Sequence, residues 1–172
     1  MPLTREFVAP QDGAEKQDRE RNASVKADDK ARRPMTIPGV GLVTASAVVA
    51  TIPDMSAFAD GREFAAFPGL TPRQSSTGGE ERLGSITKMG DRYLRKLLVV
   101  GACATLSHRH GHNDTSRVWA KQLLDRKTVK FKFKFKFKLT AVALANKVAR
   151  IVFALLTKGG EYNEIPARAA AA

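Results

Sequence analysis

The stretch Phe67–Arg95, FPGLTPRQSSTGGEERLGSITKMGDRYLR, constrains the fold more than any other part of the chain. Pro68 and Pro72 fix φ and lack an N–H, so no helix runs through them, while Gly69, Gly78, Gly79 and Gly84 admit φ > 0 and close approach to a ligand. Three consecutive hydroxyls, Ser75, Ser76 and Thr77, stand just before the glycine pair. Arg92, Arg95 and Lys96 follow at i, i+3 and i+4 and share one face of the next helix. The reading for Pro68 to Gly84 is a long loop without regular structure, and such loops inside a compact domain are functional or disordered. A hydroxyl loop beside a row of cations suits a phosphodiester backbone.

The balance of charge agrees. Lys and Arg total 29 of 172 residues against 17 acids, a net charge of +12, which points to a polyanionic partner, nucleic acid first and a membrane surface second. No run of about 18 apolar residues is evident. The N-terminus, MPLTREFVAPQDGAEKQ, lacks the apolar region of a signal peptide. The expectation is a soluble, cytoplasmic, nucleoid-associated protein with no membrane partner. The single cysteine, Cys103, lies in an apolar helical run and reads as buried filler.

The chain divides into a polar tail over residues 1–25, disordered or loosely helical, a domain over 26–165, and a second disordered tail over 166–172. ADDKARR ends a helix at Pro34. Ile37-Pro38-Gly39-Val40-Gly41 before a small apolar helix is similar to a helix-hairpin-helix, whose two glycines let backbone N–H groups meet a phosphate; a tight αα-turn with Val40 plugging the core is the alternative. Asp54 and Asp60 are candidate caps, and Phe64 and Phe67 face the core from GREFAAF. Ser85, Thr87 or Gly90-Asp91 starts a central helix to about His110, with Leu94, Leu98 and Ala102 on its apolar face. His108, His110 and His112 alternate, which suits cations at a helix C-terminus better than a metal site. Asn113 or Asp114 caps the next helix, with Trp119 in the core.

KFKFKFKFK at Lys130–Lys138 has a period of 2 and argues for a strand. Thr140 to Thr157 is a strong helix with Leu144, Val148, Ile151, Val152 and Leu155 as its stripe, Lys147 and Arg150 off it, and Gly159-Gly160 at its end. EYNEIPARAAAA has no evident role. The fold class is therefore all-α, a helix-hairpin-helix-like module plus three longer helices and a long Gly/Ser-rich loop.

IPGVGLVTASAVVATIPD, FPGLTPRQSSTGGEERLGSITKMGDRYLRKLLVVGA, VKFKF and LTAVALANKVARIVFALL, in this order, resemble the C-terminal domain of insertion-sequence transposases of the IS110 (DEDD-type) family over about residues 26–165. The resemblance implies DNA transposition through a serine nucleophile in the loop after Gly69-Leu70-Thr71-Pro72. Carried over, that serine is Ser76, with Thr77 and Ser75 as alternatives. Gly39, Gly41, Arg73, Gly78, Gly79, Arg82, Lys88, Arg92, Arg95 and Lys96 are the DNA-binding candidates. Glu80 stands where the family loop usually carries a basic residue, and the Phe-Lys run is longer than the family's.

In that family an N-terminal RNase H-like domain holds the metal-binding acids, so Mg2+ is expected there and no cofactor or metal on this chain. The sequence reads as a truncated copy, inactive without that domain. DNA, a structured guide RNA and further copies of the chain are the implied partners. The rival reading is a non-catalytic module that binds DNA or guide RNA.

Overall fold

The computed structural model describes residues 27–77, 79–80, 82–107, 115–126 and 133–163, together with 20, 22, 23 and 25. Gly78, the three histidines and both candidate caps at Asn113 and Asp114 lie outside the described residues, as do most of the two tails.

Aspartates set several of the helix starts, Asp54, Asp60 and Asp91 where the sequence placed them and Asp28 in addition. Asp28 caps α1 (Asp29–Arg32), which stops at Pro34 and passes into a 3-10 turn. α2 (Leu42–Thr51) rises from the extended Gly41. Asp54 caps a second 3-10 turn by accepting from Ser56 N–H at 2.9 Å, and its hydrogen bonds with the Ser56 hydroxyl and N–H hold its carboxyl below the usual range. Asp60 caps α3 (Gly61–Ala66) by accepting from the N–H of Arg62 and of Glu63, each at 2.8 Å. Glu63 reaches back to Ala59 N–H at 2.7 Å, so the first turn is closed from both sides. Strands β1 (Pro72–Gln74) and β2 (Leu83–Ile86) pair antiparallel. α4 (Arg92–Ser107) starts at Asp91, whose carboxylate accepts from Leu94 N–H at 2.7 Å, so Gly90-Asp91 is the start used. α5 (Thr115–Arg126) and α6 (Phe133–Lys158) complete the order. α6 ends at Gly159, at φ +77°, where the N–H donates to Leu155 O at 3.0 Å.

The core is a two-layer helical packing around α6. Leu94, Leu98 and Ala102 of α4 and Leu144, Val148 and Val152 of α6 are buried in one apolar cluster, and Ala141, Ala145 and Ala149 keep α6 narrow enough for its neighbours to approach. α3 lays Phe64 against Phe153 of α6, with ring centroids 6.0 Å apart. Phe58 meets Phe64 and Phe67 edge-on at 5.4 and 5.6 Å. Ile37 and Val40 plug the other end, under α2. Cys103 is half buried rather than fully so.

Gly39 has φ +87°, and its carbonyl oxygen lies where a β-carbon on Gly101 would come within 1.9 Å. The reverse clash is with Thr105 Oγ1 at 2.3 Å. The αα-turn is thus seated on α4 backbone to backbone, through a glycine on each side.

The structure departs from the sequence reading at several points. The span from Pro68 to Gly84 is not structureless, because its arms pair as a ribbon closed by the Thr77–Glu80 bridge with Gly79 at φ +85°, making the fold mostly α with a two-stranded sheet. Phe133–Lys138 is helix, not strand. It lacks Gly and Pro and is joined directly to a strong helix, so extending that helix costs less than building an unpaired strand. Lys147 lies off the core stripe, as expected, and its Nζ stands 4.6 Å over the Trp119 ring. Tyr162, in the segment given no role, ties the C-terminal end down: its hydroxyl and Ser116 Oγ are 2.9 Å apart, and its N–H donates to Thr36 Oγ1 at 2.9 Å.

Although Lys147 and Arg150 interrupt its apolar sequence, Lys136–Lys158 is long and apolar enough, by composition, to cross a membrane. One side of that helix is the core against α3, α4 and α5.

Gly101→Ala should destabilise the fold by about 1 to 3 kcal/mol, the usual range for overpacking, as read from urea unfolding. Gly41→Ala, where a β-carbon meets nothing within 4 Å, should cost less than about 1 kcal/mol, the loss of a favourable capping residue.

Candidate nucleic-acid interface

The turn that leads into the hairpin is a helix C-cap. Gly69, at φ +70°, donates to Ala66 O at 2.8 Å, and Leu70 N–H donates to Ala65 O at 3.1 Å, the paired bonds of a Schellman motif. The next step, Phe67–Leu70, has all four of its carbonyls satisfied from outside. Phe67 O accepts from Asp91 N–H at 3.1 Å and Gly69 O from Lys88 N–H at 3.3 Å. Pro68 O accepts from Arg95 Nη1 at 2.8 Å, and Leu70 O from Asn146 Nδ2 at 3.2 Å. Pro68, Gly69 and Leu70 are buried, so each of these bonds replaces water that cannot reach. The hairpin base is thereby fixed to α4 and α6 together.

Beyond that base the ribbon leaves the body. Pro72 pairs with Ile86 and Gln74 with Leu83, so β2 carries one extra residue in a bulge at Gly84-Ser85. Ser75 N–H donates to Arg82 O at 2.9 Å, and Thr77 bridges Glu80 across the glycine turn, with Gly79 at φ +85°. Ser75, Ser76 and Thr77 are all exposed. Alternation puts Arg73, Ser75 and Thr77 on one face of the ribbon with Arg82 and Glu80, and Gln74, Ser76 and Leu83 on the other. The side-chain contacts agree: Gln74 Nε2 donates to Ser76 Oγ at 3.2 Å, and Arg82 Nη2 meets Glu80 Oε2 at 2.9 Å. The two arginines of the loop thus flank Ser75 and Thr77, while Ser76 has Gln74 and the exposed Leu83.

The remaining candidates separate by what holds them. Arg73 Nη2 donates to Thr87 O at 3.3 Å, fastening the hairpin arms, and Arg95 is half buried on Pro68 O. Lys88, at φ +56°, Arg92 and Lys96 are exposed, and among the described residues their side chains make no hydrogen bond or ion pair. Arg92 and Lys96, one turn apart on α4, form the open cationic face next to the hairpin base, and Arg95 does not share it. Gly41 opens to solvent at the start of α2, whereas Gly39 is closed against Gly101. Gly78 lies outside the described residues. Among those residues no group of three or more His, Cys, Asp or Glu could hold a metal ion. Gln74 and the Glu80–Arg82 pair were missed from the sequence because their contacts exist only in an extended ribbon, which the glycine pair alone could have signalled.

Arg95→Ala strands the buried Pro68 carbonyl and should lower stability by about 1 to 3 kcal/mol in urea unfolding. Arg92→Ala should leave it within about 0.5 kcal/mol, as expected of an exposed side chain.

Residues 31–117 match the model of the transposase IS116/IS110/IS902 family. A protein of Pseudomonas aeruginosa described as a probable family 20 transposase is 43% identical over 141 residues, 82% of this chain and 39% of its own length. The transposase for insertion sequence element IS1111A of Coxiella burnetii is 41% identical over 143 residues, 83% of this chain and 37% of its own. The chain therefore spans well under half the length of these relatives. The matched segment runs from α1 into α5 and takes in the seated αα-turn, the clasped hairpin and the basic start of α4, and on that match the chain belongs to the IS116/IS110/IS902 transposase family.

Proposed function

We propose that, within DNA transposition, this chain holds duplex DNA by its backbone on the face shared by the hairpin and the start of α4, and that Ser76 is the nucleophile. The observation that supports this reading is the presentation of three consecutive hydroxyls at the exposed tip of a ribbon whose base is locked to a cationic helix. A nucleophile for a bulky duplex has to project beyond the body of the protein, and it has to be held in register with the groups that bind the phosphate.

In this reading Ser76 Oγ attacks phosphorus, an Oγ–P bond forms, the scissile P–O bond breaks, and the departing strand oxygen leaves as a hydroxyl. Gln74 holds the Ser76 hydroxyl through its amide. Arg73 and Arg82, on the reverse face of the same ribbon, with Arg92 and Lys96 at its base, provide the positive field that favours charge on the non-bridging oxygens. Ser75 and Thr77 are the alternative nucleophiles, and they stand nearer to Arg82. The family resemblance places Mg2+ with acids of another domain; among the described residues here no group of three or more His, Cys, Asp or Glu could hold it.

A covalent-capture assay tests the nucleophile: the chain, a suicide duplex and magnesium, resolved on a denaturing gel, with and without a full-length family transposase carrying its own loop serine mutated. A shifted band lost in Ser76→Ala and kept in Ser75→Ala and Thr77→Val is expected. A band that survives Ser76→Ala assigns the chemistry elsewhere. No band in any mixture, with duplex retention intact, leaves a binding module that does no chemistry. Duplex affinity should fall with salt, and Arg92→Ala should shallow the log–log slope by about 1, because one phosphate fewer is neutralised.

A further inference from the structure

Beside Asn146, which also holds the hairpin base at Leu70 O, α3, α5 and α6 line an open groove of about 690 Å³. Its floor is apolar and includes Trp119 and Phe153, and its rim carries Arg62, Lys147, Arg150 and Lys158. On α6, Lys147, Arg150 and Lys158 stand at i, i+3 and i+11, which is one helical face, and they span about 16 Å of axis at 1.5 Å per residue. Arg62 joins them because α3 starts in close contact with α6. A β-carbon on Gly61 would lie 3.4 Å from the Cα, Cβ and carbonyl oxygen of Arg150. Arg62, Arg150 and Lys158 are exposed, and Lys147 is half buried over the Trp119 ring. Among the described residues the one acid in the lining is Asp60, whose Oδ1 is turned to the N–H groups of Arg62 and Glu63, so the exposed Arg62, Arg150 and Lys158 set the charge of the rim.

A row of cations along an apolar, aromatic floor selects among anions. A small anion would use one or two of the cations and leave the floor bare. A duplex hides its bases, so it could meet the rim but not the floor. A single strand offers both parts at once: phosphates at the spacing of the rim, and bases whose faces stack on aromatic rings. Sixteen ångströms covers about five phosphates at the 3.4 Å spacing of one strand of a duplex, and fewer when the strand is extended.

We propose that this groove is a second nucleic-acid site, separate from the hairpin face, that takes a single-stranded phosphodiester tract with phosphates on Arg62, Arg150 and Lys158 and a base against Trp119 and Phe153. Strand exchange exposes single-stranded segments, so a protein acting in transposition has a use for such a site. The proposal does not depend on which hydroxyl, if any, is the nucleophile.

Trp119 is the sole tryptophan of the chain, so its fluorescence reports on this groove alone. Titration with a 12-nucleotide oligothymidylate should quench that emission saturably, with a log–log salt slope of roughly −2 to −3 for three or four phosphates. Arg150→Glu with Lys158→Glu, both exposed, should weaken the quench at least about tenfold with an unchanged thermal unfolding curve. Arg92→Ala should leave it as it was. The proposal is overturned by an absence of saturable quenching, by quenching that the double charge reversal does not move, or by equal competition from a duplex of the same length. Equal competition from polyglutamate would also overturn it and assign the groove to an acidic protein segment. If the double variant fails to keep its unfolding curve, Arg62→Glu alone, on α3, should weaken the quench, and an unaltered quench there rejects the site.

Discussion

The four carbonyls of Phe67–Leu70 are the constraint on which the rest of the candidate site depends. They sit where a helix ends, where a β-ribbon begins and where two long helices pass, and three of the four residues are buried. Each carbonyl takes its hydrogen from a different source: the start of α4, the Arg95 side chain, the strand return at Lys88 and Asn146 of α6. Leaving a buried carbonyl unpaired costs its full desolvation, so the segment has few other ways to lie. That is why an exposed two-stranded ribbon, which is marginal when isolated, can project from this body with a defined base.

The same segment shows what was legible in the sequence and what was not. Asp54 and Asp60 as caps, Phe64 in the core, the stop at Pro34 and the stop at Gly159 all follow from local chemistry, and they were readable because each involves partners a few residues apart. The stripe on α4 was readable for the same reason. Apart from the hairpin, whose arms pair within a few residues of its glycine turn, the errors lie in long-range choices. Period 2 in the Phe-Lys run is a strand signal only if a partner strand exists, and a neighbouring helix decided otherwise. Seventy-six residues separate Asn146 from Leu70, and 126 separate Tyr162 from Thr36. No periodicity in one chain announces bonds of that kind. Arg95 looked like a member of a cationic row because its spacing is right, but its guanidinium is drawn into the turn by Pro68.

Glycine carries two separate meanings in this chain, and only geometry distinguishes them. Gly39 and Gly101 exist for packing: the turn backbone touches the helix backbone, and the apolar side chains Ile37 and Val40 reach the core on either side. Gly41, two residues on, has open space around it and sits at the first exposed amides of α2. A helix-hairpin-helix reading treats both as contacts for phosphate. In this fold only Gly41 keeps a backbone surface that a ligand could approach, so any contact with DNA here would involve one glycine and the helix end behind it.

α6 brings these parts into one body. Its buried stripe packs the α4 helix whose start carries Arg92 and Lys96, and another face carries both Asn146, which holds the ribbon base, and the cations of the groove beside α3. The hydroxyl tip and the basic groove are thus referred to one rigid helix, with little slack between them except in the ribbon itself. The ribbon's outer part rests on the Ser75–Arg82 and Thr77–Glu80 backbone contacts and on exposed side-chain pairs such as Glu80–Arg82. Exposed ion pairs contribute little, about 0 to 1 kcal/mol, and are weakened by salt. A polyanion approaching the tip would compete with Glu80 for Arg82 at small energetic cost. The Glu80–Arg82 pair thus adds little to holding the ribbon tip, whose shape rests on its backbone contacts.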